Sequence, residues 1–199
     1  MSAITRRERQ RIANREGILQ AALGIARREG WAAVTIRKIA DEIEYTSPII
    51  YQHFDNKEAA LQALMERGYG QLAEAMRHPA AATTPDEQLL DIGRAYLRFA
   101  REQPELYQLM SGLSGVSLDG GVRQTAAAGV VKFTTEAIQA WADQKRVRLA
   151  DPMAASETAW GILHGMVSIG MLPDIGFEHA EQLAVDALSA VMKSWEARP

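Results

Sequence analysis

The 199-residue chain is predicted to be all-α, with about nine helices divided between a small N-terminal unit that carries a helix-turn-helix and a larger helical body. Three observations predict this. Apolar residues recur at three- and four-residue spacing through most of the chain, the period of a helix with a buried face. Side-chain oxygens suited to capping stand directly before those runs, at Thr35, Thr46-Ser47 and Asp151. Prolines fall where helices begin, at Pro48, Pro104 and Pro152, where a missing N–H leaves no bond unmade.

Composition sets the limits. A hydrophobic fraction of 47% and a charged fraction of 24% are those of a soluble globular protein, long enough for one sizeable domain or two small ones. With no cysteine, disulfide frameworks and thiolate metal sites are excluded. The basic stretch Met1 to Arg11 lacks the apolar core of a signal peptide, and no apolar run reaches membrane-spanning length, so a cytoplasmic protein is expected. Charge is uneven. Residues 1–57 hold 10 Lys and Arg against 7 Asp and Glu, and residues 58–199 hold 12 against 18.

Residues 1–11 are polar, with Arg6, Arg7, Arg9 and Arg11 close together, and are expected to form an arm outside the first helix. That helix is expected from about Ile12 to Glu29, with Ile18, Leu19, Ala22, Ile25 and Ala26 as its apolar stripe and Gly30 ending it. Trp31 and Val34 lead to the Thr35 cap, after which Ile36, Ile39, Ala40 and Ile43 follow helical spacing. Thr46-Ser47-Pro48 interrupts this run and starts a short helix from Ser47 to about Phe54. Asp55-Asn56 stops it, and Lys57-Glu58 opens the next helix behind Asn56. Two short helices joined by a tight turn, with Ala40 small enough for close contact, make a helix-turn-helix.

Thr35, Ile39-Ala40, Thr46-Ser47, Ile50-Tyr51-Gln52-His53-Phe54, Asn56-Lys57-Glu58 and Leu61 together resemble the DNA-binding signature of the TetR family of transcriptional regulators. One position departs from it: Glu44 stands where the family's turn usually has Gly. A Glu at positive φ is strained, so the turn is expected to use different backbone angles. The resemblance implies roles that the chemistry supports. Thr35 and Arg37 would meet phosphates at the start of the supporting helix, beside Thr46 at the turn. Ser47, Pro48, Ile49 and Gln52 would reach base edges, since Gln pairs with adenine and small apolar groups contact the thymine methyl. Tyr51, His53 and Lys57 would clamp the backbone, while Ile50 and Phe54 face inward. The basic arm is either a solvated tail or a further approach to phosphates.

The expected division is a DNA-binding domain over 1–57 and a regulatory and dimerisation domain over 58–199. A long helix from Lys57 to about His78 carries Leu61, Leu64, Met65, Tyr69, Leu72 and Met76, and residues 79–85 form a loop that suits a boundary. Asp86 to Glu102 follows, with Leu89, Ile92, Tyr96 and Phe99 on one face; Pro104 then starts a short helix with Leu106, Tyr107, Leu109 and Met110. The Gly- and Ser-rich stretch 111–121 has no phosphate-binding pattern. Val122 to about Arg148 carries Ala126, Val130, Phe133, Ala137 and Trp141, and Lys145, Arg146 and Arg148 read as its solvated end.

A helix from Asp151-Pro152 to about Leu172 shows two apolar stripes, one with Trp160, His164, Val167 and Met171 and another with Ile162, Met166 and Ile169, and is expected to be buried on two sides. The last helix, Glu178 to about Trp195, carries Ala184, Leu188, Val191, Met192 and Trp195 on one face. Trp160, His164 and Gly165 are similar to the Trp…His-Gly pattern of the C-terminal domain of the WHG subgroup of TetR regulators. In that family the body binds a small effector and forms the dimer. A pocket would then be lined by Tyr96, Phe99, Tyr107, Met110, Phe133, Trp141, Trp160 and His164, all of which serve equally as core. The dimer interface would use Gly161, Gly165 and Ser168 with Leu188, Val191, Met192 and Trp195.

The resemblance thus implies a homodimeric repressor, released from palindromic double-stranded DNA by a small apolar or amphipathic effector. The alternative is an activator or a dimer that keeps the fold without effector binding, and a third reading is a dimer that has kept the fold but does not bind DNA. No cofactor, metal or membrane partner is expected. An enzyme is not expected either, because His78, His164 and His179 match no metal-ligand spacing and there is no nucleophile elbow.

Overall fold

Helix starts in the computed structural model follow the caps. Thr35 Oγ1 accepts the Lys38 N–H at 3.2 Å, Asn56 Oδ1 accepts that of Ala59 at 2.8 Å, and Asp151 Oδ1 accepts those of Met153 and Ala154 at 2.8 and 3.2 Å. The structure describes residues 5–197 apart from 78–83, 114 and 117. Among these there are nine α-helices: α1 (Arg6–Glu29), α2 (Ile36–Glu42), α3 (Ser47–Tyr51), α4 (Lys57–Arg77), α5 (Pro85–Glu102), α6 (Pro104–Ser111), α7 (Gly120–Lys145), α8 (Pro152–Gly170) and α9 (Gly176–Glu196). A single 3-10 turn, Trp31–Ala33, joins α1 to α2. His78 and most of the expected boundary loop lie outside the described residues.

One boundary needs correction. The first helix begins at Arg6, not near Ile12, so most of the expected arm is helix. Thr5 supplies the cap, its Oγ1 accepting the Glu8 N–H at 3.3 Å, and the Arg, Glu and Gln residues that follow are good helix formers. Residues 1–4 of the arm lie outside the described residues.

The chain forms two compact units. The first comprises Met1–Gly68 and Glu105–Ala126, and the second Tyr69–Pro104 and Ala127–Pro199. The expected DNA-binding region, 1–57, falls within the first. Its core is built by Ile18, Leu19, Ala22 and Ile25 of α1, Ile39 and Ala40 of α2, Ile50 and Phe54 from α3 and the turn after it, and Leu61, Leu64 and Met65 of α4. Helix α6 belongs here too. Buried Trp31 donates its indole N–H to the Glu105 carbonyl at 3.0 Å, and a Cβ on Gly68 of α4 would collide with Met110 Sδ and lie 2.9 Å from Leu106 Cγ. Only glycine allows α4 and α6 to approach this closely.

In the second unit α5, α8 and α9 pack on one another. Gly93 of α5 permits this, since a Cβ there would lie 2.9 Å from Leu188 Cδ1 and 3.4 Å from Leu163 Cδ2. Trp141 of α7 meets Trp195 of α9 edge-on, ring centres 5.9 Å apart, and donates its indole N–H to Asp86 at 2.7 Å. Lys145 does not end α7 as a solvated charge: its Nζ bridges Asp86 at 2.9 Å and Glu196 at 2.8 Å, tying the ends of three helices. The Trp141 hydrogen bond, and then the bond from Lys145, hold the Asp86 carboxyl below its ordinary pKa.

Helix α8 also departs from expectation. Within the described chain it is buried along one side, through Ala155, Ser156, Leu163, Val167 and Gly170. Trp160, expected on a buried stripe, is 54% exposed, as is much of Met153 beside it. Helices α5 and α9 pack on its buried side, α7 reaches it through Thr134–Ser156 and Thr135–Met153 contacts, and the face that carries Trp160, Gly161 and Gly165 is left exposed among the described residues.

Candidate nucleic-acid interface

The turn between α2 and α3 sets the geometry of the site. After Glu42 the chain closes with the Tyr45 N–H donating to the Ala40 carbonyl at 2.9 Å and the Glu44 N–H to that of Asp41 at 3.3 Å. These are the two bonds of a Schellman cap, which needs a left-handed residue between helix and exit. Glu44 fills that place at φ 57°, so the expectation of different backbone angles is overturned. The turn forms as a glycine would form it, at a cost of roughly 1 kcal/mol for putting an L side chain there. The Tyr45 hydroxyl, bonded to Asn14 Oδ1 at 3.1 Å, ties the exit to α1.

Helix α3 is short by composition: Thr46 caps it without a side-chain bond, Pro48 occupies its first turn, and regular helix ends at Tyr51. A further turn carries it to Phe54, whose N–H bonds the Ile50 carbonyl at 3.0 Å. Ile50 and Phe54 are buried, as expected, and anchor the segment. Because those two point inward, the neighbouring side chains point out. Thr46, Pro48, Tyr51 and Gln52 are exposed, while Ser47, Ile49, His53 and Lys57 are half-buried. Thr35 and Arg37 are exposed at the start of α2. All ten predicted DNA contacts therefore lie in one compact unit, on α2, on α3 and the turns flanking it, and on the first residue of α4.

Charge on this unit is sorted. Arg28 pairs with Glu42 at 2.7 Å, Lys38 with Glu29 at 2.6 Å and Arg27 with Glu105 at 3.5 Å, and Arg67 binds Glu16. Among the described residues Arg37 reaches only Asp41, at 3.9 Å and with both side chains in solvent, so it stays available to a phosphate. The Nδ1 of His53 is buried without a hydrogen-bond partner among the described residues. Burial, and then the nearby charges of Arg11 and Arg15, hold the His53 pKa below its ordinary value, so the ring is neutral at pH 7.

The residues predicted for effector binding are spread over both units. Tyr107 and Met110 are buried in the first. Tyr96, Phe99 and Trp141 are buried in the second, and Phe133 is half-buried there with the Arg77 guanidinium 5.7 Å from its ring centre. Trp160 stacks on His164, centres 5.2 Å apart and planes 19° apart, at the surface of α8. A cleft of about 630 Å³ in the second unit is lined by Leu149, Ala154, Ala155, Val191 and Trp195 together with Arg148, Asp151 and Thr158; none of the eight predicted effector residues is among them. Of the predicted dimer residues, Gly161 and Gly165 are exposed and Ser168 half-buried on α8. Leu188, Met192 and Trp195 are buried within their own chain, and Val191 is half-buried. Sequence reading missed the Trp141–Asp86–Lys145–Glu196 network, which joins α7 to residues 51 to 59 positions away that no local pattern relates.

Two family models match the chain. Residues 18–64 match the bacterial regulatory proteins of the tetR family, and residues 89–192 match the tetracyclin repressor-like C-terminal domain. The second leaves the WHG resemblance resting on its three residues. An uncharacterized HTH-type transcriptional regulator of Mycobacterium tuberculosis is 26% identical over 165 residues, 81% of this chain and 73% of that protein. The class A tetracycline repressor of transposon 1721 from Escherichia coli is 29% identical over 120 residues; the match takes in 60% of this chain but only 53% of the repressor, about half its length. A TetR family regulator from Thermus thermophilus shares the fold, with a TM-score of 0.67 over 88% of this chain and 97% of that one at 21% identity.

Proposed function

The chain belongs to the tetR family of bacterial regulatory proteins, DNA-binding transcriptional regulators and not enzymes, and from that premise we propose that it is a homodimeric repressor released from a palindromic operator by a small apolar or amphipathic effector. The observation that carries the DNA-reading part is the rigid display of α3. With Ile50 and Phe54 locked inward, Ser47, Pro48, Ile49 and Gln52 are presented to base edges, and Thr35, Arg37, Thr46, Tyr51, His53 and Lys57 to the flanking phosphates. In this reading residues 1–57 are the reading head and 58–199 the regulatory body.

Dimerisation is assigned to the bare face of α8. Gly161 and Gly165 would let a second copy approach closely while Met153 and Trp160 lose their exposure to water. Because Leu188, Met192 and Trp195 serve the protomer's own core, α9 contributes less than the sequence implied, chiefly through half-buried Val191. Two heads related by such a symmetric contact would read half-sites about 34–36 Å apart. For the effector, Tyr96, Phe99 and Phe133 supply apolar surface in the body and His164 a polar group. An effector that prefers the DNA-free state by about 2.7 kcal/mol would weaken operator binding roughly a hundredfold.

The test is a selection of duplexes from a random library by the purified protein, followed by a reporter carrying the selected site. Enrichment of a palindrome and reduced reporter output are expected. Raised output would make the protein an activator, and a library left unenriched would overturn the DNA-reading proposal itself.

A further inference from the structure

Cations on α1 are divided by position. In its second half, Arg27 and Arg28 pair with Glu105 and Glu42. In its first half Arg7, Arg11 and Arg15 follow one another at four-residue spacing, and so share one face of the helix. None of the three makes an ion pair among the described residues, and all are exposed. Glu16, next to Arg15, is held by Arg67 and by the Gln20 amide at 2.9 Å, and the Arg15 charge is the smallest of the influences that lower its pKa.

This face is held against the recognition segment. The Arg15 guanidinium carbon lies 4.8 Å from the centre of the Phe54 ring, and Phe54 is itself buried. A cation stacked on a fixed aromatic ring is partly pre-ordered, so less rotamer freedom is lost when an anion binds it. The charges of Arg11 and Arg15 are also felt at His53, the residue before Phe54. Two cations of α1 and the neutral imidazole of His53 therefore lie close together at the turn that follows α3, and neither arginine is paired to a carboxylate among the described residues.

We propose that Arg11 and Arg15 of α1 extend the phosphate contact assigned to His53 into a clamp that reaches beyond the helix-turn-helix and grips a backbone phosphate of the DNA flanking the bases read by α3. The clamp rests on the DNA-reading function proposed above. Such a site contributes affinity without sequence preference, because a phosphate carries no base information.

The test measures binding by fluorescence anisotropy between roughly 50 and 200 mM salt, on the duplex enriched by the unaltered protein and on a scrambled duplex of equal length. Arg11→Gln, whose side chain makes no hydrogen bond or ion pair among the described residues, is the first variant. One contact is lost from each protomer of the proposed dimer, so the slope of log affinity against log salt is expected to become shallower by about 1.8 and binding to weaken roughly sixtyfold near 0.1 M salt on both duplexes. Arg15→Gln should do the same, whereas Arg15→Lys keeps the charge and should keep the slope; this separates a phosphate contact from loss of the Phe54 stack. Unchanged slopes for Arg11→Gln and Arg15→Gln, with a site still enriched by the unaltered protein, would overturn the clamp alone. A loss confined to the enriched duplex would overturn it as well, since that is the behaviour of a base contact. If the unaltered protein enriches no site, the DNA-reading function falls first and the clamp with it.

Discussion

Tyr51 on α3 and Trp160 on α8 expose nearly the same fraction of their surface, 53% and 54%, but their surroundings differ. Around Tyr51 stand Gln52, His53 and Lys57, groups that donate hydrogen bonds or carry charge, on a segment anchored by two buried residues. Around Trp160 stand Gly161, Gly165, Met153 and the stacked His164, with Glu157 the one carboxylate within a helical turn, on a helix whose other side is packed into the body. An aromatic ring among polar groups suits a charged, hydrated partner. One among mostly small and apolar neighbours suits a surface that excludes water at its centre and keeps a charge at its rim. Exposure says only that something is left to be covered, and the neighbours say what kind of partner covers it.

Four variants break or sharpen this contrast. The largest effect is expected from Trp160→Glu, which places a charge at the centre of the proposed twofold contact and, by symmetry, does so twice; dimer affinity should fall roughly a hundredfold or more. Sedimentation velocity checks it, and a dimer that persists would remove α8 from the interface. Next comes Tyr51→Ala, expected to weaken enriched and scrambled duplexes alike by about tenfold, as loss of a backbone contact does. If it instead changes which bases are selected, Tyr51 reads bases and the division of roles on α3 is wrong.

A smaller effect is expected at the turn before α3. Glu44→Gly relieves the left-handed strain but enlarges the unfolded ensemble, leaving a net gain of at most about 0.5 kcal/mol in unfolding free energy and a slightly higher urea midpoint. DNA affinity should be unaltered, because the turn already has this geometry; a change in affinity would give the Glu44 side chain a part in the interface.

The smallest effect concerns His164. Burial lowers its pKa from the ordinary 6.5, so the unfolded chain takes up the proton first as pH falls. The contribution to stability is full above 6.5 and declines as pH drops from there through the folded-state value. Urea midpoints at about pH 8 and 5.5 should therefore draw closer together in His164→Gln than in the unaltered protein. An unchanged difference would assign the acid sensitivity to other groups.

Much of this was legible in the sequence because it depends on near neighbours. Thr35 and Asn56 cap because their oxygens stand three residues before the N–H groups that they accept. The inward Ile50 and Phe54, and therefore the outward face of α3, follow from helical spacing. The start of α1 was missed because an Arg-rich stretch that forms helix as readily as coil offers no apolar period to read.

Other features were beyond reach of local pattern. Apolar spacing placed Trp160 on a stripe fit for burial, but only the packing of α5 and α9 against the opposite side left it bare. Lys145 resembled any cation at a helix end until folding brought Asp86 and Glu196 to it. Glu44 looked unfit for its turn until the two Schellman bonds were formed around it. Arg15 was one arginine among several until Phe54 came beneath it. Interactions within one helical turn are set by chain geometry and can be read from spacing. Those between distant residues depend on which faces meet, and on interactions strong enough to hold a locally unfavourable conformation in place.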